Sequence, residues 1–177
     1  IVAHPDCDEK GLIVALLRGA FEYQGQKCSA ASRAYIPKTV WNNISQKLIT
    51  EVEKIKIGDC SDFTNFMTAV IDQRAFDKIT GYIQRAKEND NCEIVSGGKS
   101  EGKKGWFIEP TIIVTKYPKS ETMVEEIFGP VLTIYVYEDE EFEAVLKLCD
   151  ESSPYALTGA IFAKSEENIQ TAYNALR

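Results

Sequence analysis

Histidine is almost missing from this chain: His4 is the only one among 177 residues. That scarcity argues against zinc-type ligand sets and leaves a histidine–cysteine catalytic pair with one candidate base. No two of the five cysteines, Cys7, Cys28, Cys60, Cys92 and Cys149, are spaced as C-x-x-C. An odd number with no pairing pattern suits reduced thiols in an intracellular compartment, and it leaves room for one functional sulfur. No apolar run approaches the ~18–20 residues that a membrane span needs, so no membrane partner is expected. The opening residues, "IVAHPDCDEK", show no basic segment followed by a long apolar one, and no secretion signal is read there. Cations are in the minority, 20 Lys and Arg against 27 Asp and Glu, and they form no stripe. Nucleic acid is therefore not an expected partner. Internal repeats, low-complexity segments and the G-x-G-x-x-G dinucleotide motif are also lacking.

What is present is ordinary globular composition, 44% hydrophobic and 27% charged, enough for one domain with a real core. Leu12, Ile13, Leu16, Leu17, Ala20 and Phe21 recur at helical steps within 9–24, and Gly25 is a plausible stop. "ASRAYIP" reads as a buried strand closed by Pro37. Trp41, Ile44, Leu48, Val52 and Ile55 mark a second helix. After a loop-like stretch and an extended piece near 66–71, Asp72 caps a third helix containing Ile79 and Ile83. "CEIVSGG" and "WFIEPTIIVT" read as strands, with Pro110 pointing to an edge or a bulge, and "GGKSEGKKG" as a surface turn. A short helix precedes the Gly-Pro break at 129–130. "VLTIYVY" is apolar almost throughout, as in a strand covered on both faces. A helix around Val145, a strand "LTGAIFA" and a helix capped by Ser165 complete the order. This alternation predicts an α/β fold with a mainly parallel sheet flanked by helices. The last helix is still in period at Arg177, which suits either a frayed terminus or part of a longer polypeptide.

Two constellations carry chemistry. In "FEYQGQKCSA", Cys28 follows a glycine that permits a tight bend, with Lys27 and Ser29 on either side. A thiol attacks only as thiolate, and backbone N–H groups in such a bend can hold a developing oxyanion. A small buried filler is the competing reading for any isolated cysteine. In "EEIFGPV", Glu126 offers a carboxylate suited to two ribose hydroxyls, and Phe128 an aromatic edge suited to a flat ring; a plain helix end is the alternative.

The two motifs lie about a hundred residues apart, with "GWFIEPTII", "EEIFGPVLTIYVY" and "YALTGAIFA" in matching order. Together they resemble the aldehyde dehydrogenase superfamily over essentially the whole chain. "RGAFEYQGQKCSAASRAYIP" is similar to its Δ1-pyrroline-5-carboxylate (L-glutamate γ-semialdehyde) branch, in proline catabolism. The resemblance implies an NAD-dependent oxidation of an aldehyde, with Cys28 as nucleophile through a thiohemiacetal and a thioester. It implies Glu126 and Phe128 at the nicotinamide end of the cofactor, and Ser29 and Lys27 beside the substrate. No metal is implied. It further implies that residues 1–177 are a single catalytic, cysteine-bearing domain. The NAD-binding domain and an oligomerising C-terminal segment would then lie elsewhere in a longer parent. The piece alone would be inactive, and the parent a homo-oligomer of the bacterial cytoplasm or mitochondrial matrix. Another branch, such as one acting on succinate semialdehyde, or a non-catalytic scaffold of the same fold, stays open on these residues.

Overall fold

The computed structural model describes Ile1–Arg177. In chain order the elements are β1 (Val2–Ala3), α1 (Glu9–Phe21), β2 (Arg33–Pro37), α2 (Lys38–Glu53), α3 (Gln73–Lys87) and β3 (Cys92–Ser96). There follow β4 (Ser100–Glu101), β5 (Phe107–Ile108), β6 (Thr111–Thr115), α4 (Glu121–Val124), β7 (Val131–Tyr137), α5 (Phe142–Glu151), β8 (Ile161–Phe162) and α6 (Glu166–Ala175). Six strands form one sheet in the order β3-β6-β7-β2-β1-β8. Only β3 runs antiparallel; the other neighbours are parallel, with Arg33 opposite Thr133 and Thr111 opposite Val131.

The two-residue period of the central strands sorts their side chains to opposite faces. Ala34 and Ile36 of β2, with Leu132 and Ile134 of β7, pack under the apolar stripes of α1 and α2, where Leu12, Leu16, Ile44 and Leu48 are fully buried. Tyr35 and Tyr137 point the other way, toward Val145 and Leu146 of α5. A third cluster gathers Ile79 and Ile83 of α3 with Ile113 and Val131. Each such aliphatic side chain contributes roughly 1.5–3 kcal/mol by leaving water. The near-continuous apolar character of "VLTIYVY" is thus accounted for: helices cover both sides of β7.

Local chemistry sets the ends of the helices. The Asp8 carboxylate accepts from Lys10 N, and the Asp72 carboxylate from Ala75 N at 2.8 Å, starting α1 and α3. Several expectations need correction. "WFIEPTIIVT" is two strands, not one: β5 pairs with β4 in a separate ribbon, and β6 lies inside the main sheet. Pro110 sits at the junction, where its missing N–H ends one ladder before the next begins. The stretch 97–105 accordingly contains a strand rather than a bare turn. Residues 66–71 form only an isolated bridge, Ile57 to Met67. "LTGAIFA" shrinks to two strand residues, because its partner β1 is itself two residues long. β1 was not anticipated, since two residues display no period.

Candidate active site

The turn bearing Cys28 starts where α1 stops. Tyr23, Gln24 and Gly25 have φ of 55°, 57° and 66°, three consecutive left-handed residues. For the two non-glycines this conformation costs on the order of 1–3 kcal/mol each, so surrounding contacts must hold it. Gln26 N donates to Tyr23 O at 3.1 Å, the Gln24 carboxamide to Ala69 O at 3.2 Å, and Ile71 N to the Gln26 carboxamide oxygen at 2.9 Å. A second turn, Ala30 N to Lys27 O at 3.0 Å, spans Cys28 and Ser29. Cys28 is exposed, and its own N–H and that of Ser29 donate to no group of the chain.

The loop of Glu126 and Phe128 is the facing wall. Ile127 is buried and anchors it, leaving Glu126 exposed and Phe128 41% exposed. Phe128 takes a positive φ of 61°. Lys78 Nζ of α3 donates to the Glu126 carbonyl at 2.8 Å. Glycine is required where the two loops meet: a Cβ on Gly25 would stand 2.2 Å from the Gly129 carbonyl oxygen.

Cys28 precedes β2 and Glu126–Phe128 precedes β7, and these strands are parallel neighbours. Both loops therefore emerge at the same, amino-terminal edge of the sheet. They line one cleft of about 770 Å³ that holds Lys27, Cys28, Ser29, Glu126 and Phe128 together. Across it runs the exposed segment 154–160, which leads into β8. A second open cavity of about 800 Å³ lies behind the Glu126–Phe128 loop, reaching Gln26, Asp72 and Lys78.

Not every expected residue is free to act. The Lys27 ammonium pairs with Glu22 at 3.0 Å, and Arg18 shares that carboxylate at 2.6 Å. Lys27 first, and Arg18 with it, hold the Glu22 carboxyl below its usual value. His4 follows β1 and so lies at the carboxyl edge of the sheet, away from Cys28. There it bonds Asp6 at 2.9 Å and meets the Phe142 ring edge-on. No histidine–cysteine pair exists. Gln24, Gln26 and Lys78, which hold the two loops, are not among the residues the sequence singles out. The glutamines stood inside the quoted motif, but nothing local told what they would bond, and Lys78 carried no signal on an exposed helix face.

A mainly parallel α/β sheet thus carries an exposed thiol, a carboxylate and an aromatic ring along one cleft, just after a left-handed turn. Residues 1–177 match the aldehyde dehydrogenase family, and the chain belongs to it. It is 53% identical over 174 residues to the mitochondrial Δ1-pyrroline-5-carboxylate dehydrogenase of Dictyostelium discoideum, covering 98% of this chain and 31% of that protein. The human mitochondrial enzyme of the same name is 42% identical over 175 residues, with 98% and 31% covered. Among solved structures, the Mycobacterium tuberculosis Δ-pyrroline-5-carboxylate dehydrogenase bound with NAD and cobalamin superposes with a TM-score of 0.94 at 42% identity, covering 99% of this chain and 32% of that one. Betaine aldehyde dehydrogenase from Staphylococcus aureus in complex with NAD+ gives 0.90 at 32% identity, with 99% and 35% covered. The chain spans about a third of the length of the curated relatives it matches.

Proposed function

We propose that this chain is the cysteine-bearing catalytic domain of an NAD-dependent dehydrogenase that oxidises L-glutamate γ-semialdehyde, formed from Δ1-pyrroline-5-carboxylate, to L-glutamate. The observation that carries the reading is the cleft that Cys28 shares with Glu126 and Phe128. Cys28 Sγ, as thiolate, adds to the aldehyde carbon and forms a C–S bond, and the carbonyl oxygen becomes an oxyanion. The free N–H of Cys28 can donate to that oxygen as it gains charge. The residues present fit the nicotinamide half of NAD: an exposed carboxylate that accepts ribose hydroxyls, and a half-exposed ring beside it. When bound, NAD⁺ supplies the hydride acceptor. Cys28 then holds the acyl group as a thioester until water adds, releasing the acid and returning the thiol. The Ser29 hydroxyl, next to the sulfur, is suited to the substrate carboxylate. Lys27 can serve there only if its pair with Glu22 opens.

The rest of the dinucleotide site and the contacts of a homo-oligomer belong, in this reading, to other parts of a longer polypeptide. Mitochondrial forms among the relatives support the matrix as its compartment in a eukaryote, and the cytoplasm is the counterpart in a bacterium. The test uses the longer protein that contains this sequence. NAD-dependent turnover of L-glutamate γ-semialdehyde should exceed that of succinate semialdehyde, and Cys28→Ser should lower kcat by about a thousandfold or more. Preference for succinate semialdehyde would move the enzyme to another branch, and full activity without the sulfur would refute the mechanism.

A further inference from the structure

The Cys28 turn hangs from a part of the molecule that the chemistry itself does not touch. Gln24 and Gln26 bond Ala69 O and Ile71 N, in the segment that leads directly into α3. Asp72 then caps that helix. From the middle of α3, Lys78 grips the Glu126 carbonyl, and the Ile79 side chain lies against Gly129, where an added Cβ would come within 2.5 Å. The segment leading into α3 thus touches one wall of the cleft, and the middle of the helix touches the other. Between Gln26 and Ala30 the backbone bonds only within its own turn; the next tertiary tie is Ala31 N to Gly19 O at 2.8 Å. On the upstream side Lys27 bonds only Glu22 in the same loop, and the Gln26 side chain is the nearest hydrogen-bonded tie to a distant segment.

We propose that Gln26 is a positioning residue: its carboxamide oxygen, through Ile71 N–H, sets where Cys28 stands relative to the Glu126–Phe128 loop. This rests on the reading of Cys28 as the nucleophile. Glutamine suits the task because it is an acceptor with the required reach. Asparagine is one methylene short, methionine has the length without the acceptor, and glutamate keeps both.

The test follows formation of the thiohemiacetal, which needs no cofactor. Alkylation of Cys28 by iodoacetamide is measured by peptide mass spectrometry with and without L-glutamate γ-semialdehyde. Cys60, also exposed but outside the cleft, serves as internal reference. In the wild type the aldehyde protects Cys28 and not Cys60. In Gln26→Met the protection falls by about tenfold, because a displacement of about an ångström suffices to misalign a nucleophile. Ile71 N–H exchanges with solvent faster, and the Cys60 rate stays unchanged. Gln26→Glu retains most of the protection. If Gln26→Met fails to fold, Gln26→Asn carries the same expectation. Wild-type protection in a variant whose Ile71 amide exchanges faster would overturn the positioning role alone. No protection in the wild-type chain would overturn the nucleophile reading, and this role with it.

Discussion

Cys7 and Cys28 have the same side chain and opposite fates. Burial, reinforced by the charges of Glu9 and Asp6, pushes the Cys7 thiol up to about 11. At pH 8 only about a thousandth of it is thiolate, so Cys7 should resist alkylation in the folded chain while Cys28 and Cys60 react. Mass mapping after a brief pulse of reagent checks this; early modification of Cys7 would contradict the burial. Glycines separate in the same way. Gly25 combines a positive φ with a contact at 2.2 Å, whereas a Cβ on Gly159 would meet nothing within 4 Å. Gly25→Ala should cost about 2–4 kcal/mol, and Gly159→Ala should stay within about 0.5 kcal/mol. Urea midpoints measure both, and equal effects would mean that the two loops do not meet as described. The sequence suggested Gly25 as a helix stop and bend. That it must also clear Gly129 depends on a second loop about a hundred residues away, which leaves no trace near Gly25.

At the scale of elements, α6 illustrates a start read in the right place but without the side-chain cap bond expected there. Ser165 occupies the cap position, yet its side chain makes no cap bond. Asp6, from the loop after β1, instead anchors the approach to the helix, accepting from Lys164 N and Ser165 N at 3.0 Å each and from the Asn168 side chain at 3.2 Å. Burial pushes the Asp6 carboxyl up, but these two amides, with His4 and Asn168, outweigh it and bring the value down to about 2. Because the folded value lies below the unfolded one of about 3.9, the stabilisation is complete above pH ~4 and fades as pH falls toward ~2. Asp6→Asn should therefore lose about 1 kcal/mol near neutrality, and its urea midpoint should fall less steeply than wild type between those pH values. Parallel curves would mean that Asp6 is not the group. Amphipathic period made α1, α2, α3 and α5 legible, because a buried stripe repeats within one element. The two-residue β1 was beyond reach, because a pair of residues has no repeat to read, and β8 was legible only as the longer apolar run "LTGAIFA".

At the scale of the molecule, the cleft opens at the amino ends of β2 and β7. Open parallel sheets commonly place ligands at the carboxyl ends, so this edge was not the one that alternation of helix and strand would nominate. The face is broad and open in this chain, which covers about a third of its relatives and lacks a glycine-rich dinucleotide motif. The 177-residue chain mixed with NAD⁺ and L-glutamate γ-semialdehyde should accordingly form no NADH, although the aldehyde still protects Cys28. Absorbance at the NADH band checks the first part, and turnover would mean that the cofactor site is more complete than its residues indicate. By itself the sequence determined the fold class, the helical faces and the two motifs, because periodicity and turn chemistry are written in neighbouring residues. Only the tertiary structure decided which edge of the sheet brings the two motifs together, that Lys27 is paired, and that Gln26 reaches Ile71 and Asp6 reaches Ser165. Those last bonds span 45 and 159 residues, and a contact at such separation exists only once the sheet has brought distant segments side by side.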